Sequence, residues 1–162
     1  MNHFYSKTLI SKTLISKTLI SKTLLSSVLV FATTLFAFAQ QTIEGKWWDE
    51  EKKGQVEVYK SPNGKFYGKI IYLKEPIDAE TGKPALDKNN KDASKRGRAT
   101  MGLVTLLALT ESKGVYEGQV YNPKDGNIYS GRVTLLPDGR LKLRGYVGVS
   151  FIGKTEVWER VK

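Results

Sequence analysis

Between Ile43 and Val161 the sequence is a succession of short runs in which apolar and polar residues alternate, each closed by turn-forming residues, and no window keeps a helical period for three turns. A period of two puts successive side chains on opposite faces of an extended chain, so these runs read as half-buried strands. Ile43, Gly45 and Trp47 share one face of the first. QVEVYK (55–60) ends at Ser61-Pro62-Asn63-Gly64, and KFYGKIIYL (65–73) returns from that hairpin turn. GVYEGQVY (114–121) and NIYSGRVTLL (127–136) flank Asn122-Pro123-Lys124-Asp125-Gly126. Leu136-Pro137-Asp138-Gly139 leads into RLKLRGYV (140–147), and TEVWERV (155–161) closes the series. Eight strands in a meander of hairpins predict an all-β protein, an antiparallel up-and-down barrel that leaves no exposed sheet edge. A two-sheet sandwich is the alternative. Gly68, Gly118, Gly131 and Gly145 lie inside strands, where glycine permits sharp bending.

Two stretches break the regular pattern. Residues 74–100 are rich in Lys, Asp, Asn, Pro and Gly and show no strand alternation; so long a loop in a compact domain reads as a functional lid or a mobile segment. After it, LVTLLALT (103–110) is apolar on both faces, which predicts a strand covered on both sides, the loop being one candidate cover.

The first 39 residues read as an export signal rather than as part of the fold. Lys7, Lys12, Lys17 and Lys22 form a basic region without a carboxylate, an apolar run extends from Leu24 to Phe38, and Ala37-Phe38-Ala39 fits a cleavage box. The mature chain is expected to start at Gln40 and to form one domain over 40–162. The apolar run is shorter than the roughly 20 residues a retained membrane anchor needs. SKTLI occurs three times between Ser6 and Ile20, and a fourth copy ends in Leu25. No solenoid has such a period, so the repeat reads as an expansion within a discarded leader.

Absences limit the chemistry. There is no cysteine, and the single histidine, His3, lies in the leader. Residues 40–162 therefore cannot supply a disulfide, a thiolate, a Ser-His or Cys-His pair, or a zinc or haem site with protein N or S ligands. Four of the 26 Lys and Arg and none of the 16 Asp and Glu fall in the leader, so the remainder keeps a basic excess. In an exported chain this favours anionic envelope components or acidic small molecules over nucleic acid. The expected location is periplasmic or secreted.

Three motifs suggest chemistry on paper. Gly148-x-x-x-x-Gly153-Lys154-Thr155 satisfies the nucleotide phosphate-loop expression, but that loop needs a helix after it and here EVWERV alternates as a strand. A glycine-rich hairpin is the expectation. Asp87, Asn89 and Asp92 are spaced loosely like a calcium loop, without Gly at the sixth position or the closing Glu, so no metal site is assigned. Lys95, Arg96 and Arg98 beside them could clamp a carboxylate or phosphate, or pair with Asp87 and Asp92 to fix the loop.

The ordered string Gly45-Lys46-Trp47, Asp87-Lys88-Asn89-Asn90-Lys91-Asp92 with Arg96 and Arg98, Met101-Gly102-Leu103, Gly118-Gln119-Val120-Tyr121-Asn122-Pro123 with Gly126 and Tyr129, Leu143-Arg144-Gly145-Tyr146 with Gly148, and Phe151, Gly153, Thr155, Trp158 and Arg160 resembles the DUF2147 family of exported bacterial proteins. The resemblance covers nearly all of 40–162. It implies a calycin-like barrel related in shape to lipocalins and fatty-acid-binding proteins, and no established activity. Lys91 and Asn122 stand where that family usually has Pro and Asp. Trp47 and Arg160 resemble the Gly-x-Trp and C-terminal Arg pair with which calycin barrels plug one end, so they are assigned to barrel closure.

Tyr121, Tyr129, Tyr146, Trp158 and Tyr67 supply aromatic surface that suits an amphiphile, with Arg98 and Arg144 as orienting cations. A small barrel can also fill its lumen with side chains, and the sequence leaves both outcomes open. The expected function is binding of a small amphipathic or anionic molecule. A hydrolase acting through carboxylates and an envelope scaffold with a filled barrel are the alternatives, and no catalytic residue or cofactor is assigned.

Overall fold

The computed structural model describes residues 42–149 and 152–162. The expected leader, with its SKTLI copies and His3, lies outside the described residues, as does Phe151. The alternating runs form β1 (Gly45–Trp48), β2 (Gly54–Lys60), β3 (Phe66–Leu73), β4 (Val104–Ser112), β5 (Val115–Asn122), β6 (Asn127–Leu135), β7 (Leu141–Tyr146) and β8 (Gly153–Arg160). Each strand pairs antiparallel with the next, and β8 returns to β1 through Trp47↔Arg160 and Trp48↔Glu159. That last pairing closes an eight-stranded barrel, and the sandwich does not form.

Inward alternation builds the core. Val56 and Val58 on β2, Phe66 and Ile70 on β3, Tyr116 on β5, Val133 on β6, and Leu141 and Leu143 on β7 are buried at two-residue or four-residue spacing. β4 departs from this, since Leu106 and Leu109 are both fully buried. Ala108 between them has φ 53, and the β4–β5 register slips between Leu107 and Thr110. The β-bulge flips the alternation and turns both leucines inward. The two-sided apolar pattern of this strand therefore has a bulge as one cause. Leu107 and Val104 account for the rest, because they line a groove shared with residues of the β3–β4 connection.

One end of the cylinder is plugged. Ile43 and Trp47 are completely buried, and the Trp47 Nε1–H donates to the Ile43 carbonyl at 2.8 Å. Arg160 lies across the indole and donates to the carbonyls of Glu44 (2.8 Å) and Thr42 (2.9 Å). Gly45 has φ 129, and a Cβ there would collide with Arg160 Nη1, so only glycine lets the guanidinium come this close.

The β3–β4 connection is a tied strap rather than a mobile lid. Ile77 bridges Pro84, Leu86 bridges Ala99, and a 3-10 turn runs over Ala93–Lys95. Asp87 N donates to Arg98 O at 2.9 Å and Thr100 N to Ala85 O at 2.8 Å. The strap is also pinned to the β5–β6 turn, where Asn89 Nδ2 donates to the carbonyls of Lys124 (3.0 Å) and Pro123 (3.4 Å). Gly126, at φ 72, lies so close to Asn89 that its missing Cβ makes room for the strap's backbone. Among the described residues no helix is long and apolar enough to cross a membrane.

Candidate functional site

The end of the barrel opposite the plug holds a cavity of about 640 Å³. Val56, Ile70, Leu73, Val120, Leu143 and Trp158 form its apolar wall. Gly145 on β7 keeps part of it empty: a Cβ there would meet nothing nearer than the Tyr129 Cβ at 3.8 Å. The lumen is thus divided along its axis into a packed half and an open half. Thr100 is the strap's contribution to the wall, so the strap does not gate the cavity.

Polar groups gather at the mouth. Lys53 comes from the β1–β2 turn, Lys124 from the β5–β6 turn and Lys154 from the start of β8. Asp125 accepts from Tyr129 Oη (2.7 Å), Asn127 N (2.9 Å) and Asn122 Nδ2 (2.9 Å). Burial pushes its carboxyl up, but these donors outweigh it and hold it below the usual range. Glu156 accepts from Lys154 Nζ (2.9 Å) and from Trp158 Nε1 (3.1 Å). Asp49 accepts from the Lys53 amide at 2.7 Å.

Four of the aromatics singled out in the sequence, Tyr121, Tyr129, Tyr146 and Trp158, border the cavity. The Tyr121 hydroxyl, however, is committed to the strap. It donates to Asp87 Oδ1 and accepts from Asn90 Nδ2 at 2.9 Å, while Asn90 Nδ2 also reaches Asp87 Oδ2 at 2.8 Å. Arg98 completes this cluster with a 2.7 Å ion pair to Asp87, whose side chain is fully buried. Burial drives the Asp87 carboxyl upward, and the donors from Tyr121, Arg98 and Asn90 prevail, leaving it below the ordinary carboxylate range. Burial, then the neighbouring Asp87, pushes the Tyr121 hydroxyl up.

Three expected ligand contacts lie elsewhere. Arg98 is held by Asp87 at the outer groove under the strap. Tyr67 alternates with the buried Phe66 and Gly68, so it faces outward, stacks with Tyr59 at 6.0 Å and accepts from Asn63 at 3.1 Å. Arg144 alternates with the inward Leu143 and Gly145 and donates to its cross-strand neighbour Thr155 at 2.7 Å on the outer wall. Conversely, the sequence reading missed Lys53, Lys124, Glu156 and Gly145. For Glu156 the signal was present, since it shares parity with Trp158.

The three paper motifs resolve locally. The phosphate-loop expression falls across the β7–β8 connection, where Gly153, Lys154 and Thr155 begin a strand, so among the described residues no helix terminus faces the glycines. Asp87, Asn89 and Asp92 do not converge. Asp92 instead caps the 3-10 turn through Ser94 and pairs with Lys95 at 2.9 Å, contacts that lower its carboxyl to about 2. No group of three or more acidic or histidine side chains among the described residues is placed to hold a metal ion.

A closed eight-stranded meander, plugged at one end by an N-terminal Trp and a C-terminal Arg and hollow at the other, defines a lipocalin-like barrel. Its backbone is similar to that of protein HP1028 from Helicobacter pylori, described as belonging to the lipocalin family. The TM-score is 0.62 and the identity 30%, over 75% of this chain and 84% of that one. The chain belongs to the DUF2147 family, described as an uncharacterized protein conserved in bacteria, which it matches over residues 45–160. No curated protein matches it.

Proposed function

We propose that the chain is an exported binding protein whose barrel holds a small amphipathic or acidic molecule in the cell envelope. The half-empty lumen carries this reading. A volume of about 640 Å³ falls within the roughly 300–1,000 Å³ of small-molecule sites, and its wall is apolar with a few polar groups at one end. An apolar body would be buried against Trp158, Leu143 and Ile70, and a polar head would remain at the lysines of the mouth. The leader read in residues 1–39 supports a periplasmic or secreted location, without an integral anchor after cleavage and without a nucleic acid partner. A hydrolase would need carboxylates free to act, whereas Asp49, Asp125 and Glu156 are each held by donors of the barrel itself. A scaffold with a filled lumen has no use for the open half.

Gly145→Leu tests the reading directly, because its side chain would enter the cavity without a backbone clash. Binding of dodecanol, measured by titration calorimetry, is expected for the wild type and not for the variant, with unchanged unfolding midpoints. Equal binding by both would place the ligand outside the barrel.

A further inference from the structure

The three lysines at the mouth are not equivalent. Lys154 is bound to Glu156, a residue of the cavity wall. Lys53 and Lys124 instead converge on Glu51, at 2.8 and 3.4 Å, and Glu51 is an exposed residue of the β1–β2 turn. The two lysines reach it from opposite sides, since the β1–β2 and β5–β6 turns lie half a circumference apart in the eight-strand order. Two cations share one carboxylate at that point of the rim, and Glu75 and Asp49 act on Lys53 only after Glu51. Lys53 and then Lys124 hold the Glu51 carboxyl below its usual range, and Glu51 raises the Lys53 ammonium.

We infer that Lys53 and Lys124 form the clamp for the anionic head of an amphiphile, and that Glu51 occupies this clamp as an internal stand-in which the head displaces. This rests on the binding reading above and names the chemistry of its ligand. Exchangeability singles out Glu51. Asp125 and Glu156 are anchored by Tyr129, Asn122, Asn127 N and Trp158, and Asp49 by the Lys53 amide, so displacing any of them breaks bonds of the barrel. Releasing Glu51 breaks only exposed ion pairs, which are weak, and an incoming carboxylate re-forms them. The head would then rest above an apolar cavity that accepts the chain, an arrangement in which attraction and burial act on one molecule.

The test compares dodecanoate, dodecanol and dodecyltrimethylammonium, titrated calorimetrically into the wild type, Glu51→Gln and the double variant Lys53→Met/Lys124→Met. All substituted side chains are exposed and circular dichroism checks the fold. Wild type is expected to prefer dodecanoate over dodecanol, and dodecanol over the cation. Glu51→Gln should tighten dodecanoate by about two- to fivefold, the factor an exposed ion pair is worth, with dodecanol unchanged. The double variant should abolish the preference. Dodecanol binding as tightly as dodecanoate, or a Glu51→Gln variant that gains nothing, would overturn the clamp while leaving the cavity reading intact. If no chain binds, the cavity reading fails and the clamp fails with it.

Discussion

The guanidinium carbon of Arg160 lies 4.2 Å from the centre of the Trp47 indole, joining the last strand to the first. Trp47 is wholly buried, so Trp47→Ala is expected to cost about 3–5 kcal/mol in urea unfolding. Arg160→Ala removes the stacked cation and two carbonyl bonds, and about 1–3 kcal/mol should be lost. The double variant should lose less than the sum, since the two side chains share the contact. A Trp47→Ala protein as stable as the wild type would mean that the plug does not hold the barrel shut.

Acid should act through the strap. The folded-state carboxyl of Asp87 lies below its unfolded value of about 3.9, so its contribution is complete above that value and is lost as the pH falls through the folded one. Unfolding followed from pH 7 to pH 2 should therefore show a steep loss below about pH 4. Asp87→Asn should be less stable at neutral pH and flatter in acid. Equal acid slopes for the two proteins would remove Asp87 from the account.

The pin between strap and β5–β6 turn can be broken separately. Gly126→Ala places a Cβ against Asn89 at a left-handed φ, which displaces the strap from the turn. Limited proteolysis should then cut within residues 74–103 at a higher rate, while the barrel strands stay resistant. An unchanged digestion pattern would contradict the pinning.

The export signal expected in residues 1–39 has its own readout. Intact mass of the exported protein should correspond to a chain starting at Gln40. Deleting two SKTLI copies removes two lysines and should lower export if copy number tunes it. Unchanged secretion would make the repeat neutral.

Much of this architecture was legible in the residues. Asn-Gly and Asp-Gly turns separate runs of period two, and that spacing gave eight strands and a closed meander. The bulge at Ala108 was not legible, because a left-handed alanine leaves no mark on composition and its effect resembles a strand buried on both faces. Arg144 was legible and misplaced: its alternation with Leu143 already pointed it outward, but an aromatic and cationic motif drew it toward the lumen. The strap was legible in part, since pairing of Arg98 with Asp87 and of Lys95 with Asp92 was one of the two alternatives for that loop. Asp87, Asn90 and Tyr121 meet through tertiary contacts between a loop and a strand, which local periodicity does not register. The lysines of the mouth lie in turns, where charge is ordinary and only the closed topology brings Lys53 and Lys124 together.

The division of the lumen into a packed half and an open half separates two kinds of evolutionary freedom. Residues around Trp47 answer to folding, and a change among them puts the whole cylinder at risk. The side chains of Glu51 and Lys124 are exposed and carry no such burden, so under the proposed binding role relatives sharing this skeleton would be free to diverge in taste without renegotiating their stability.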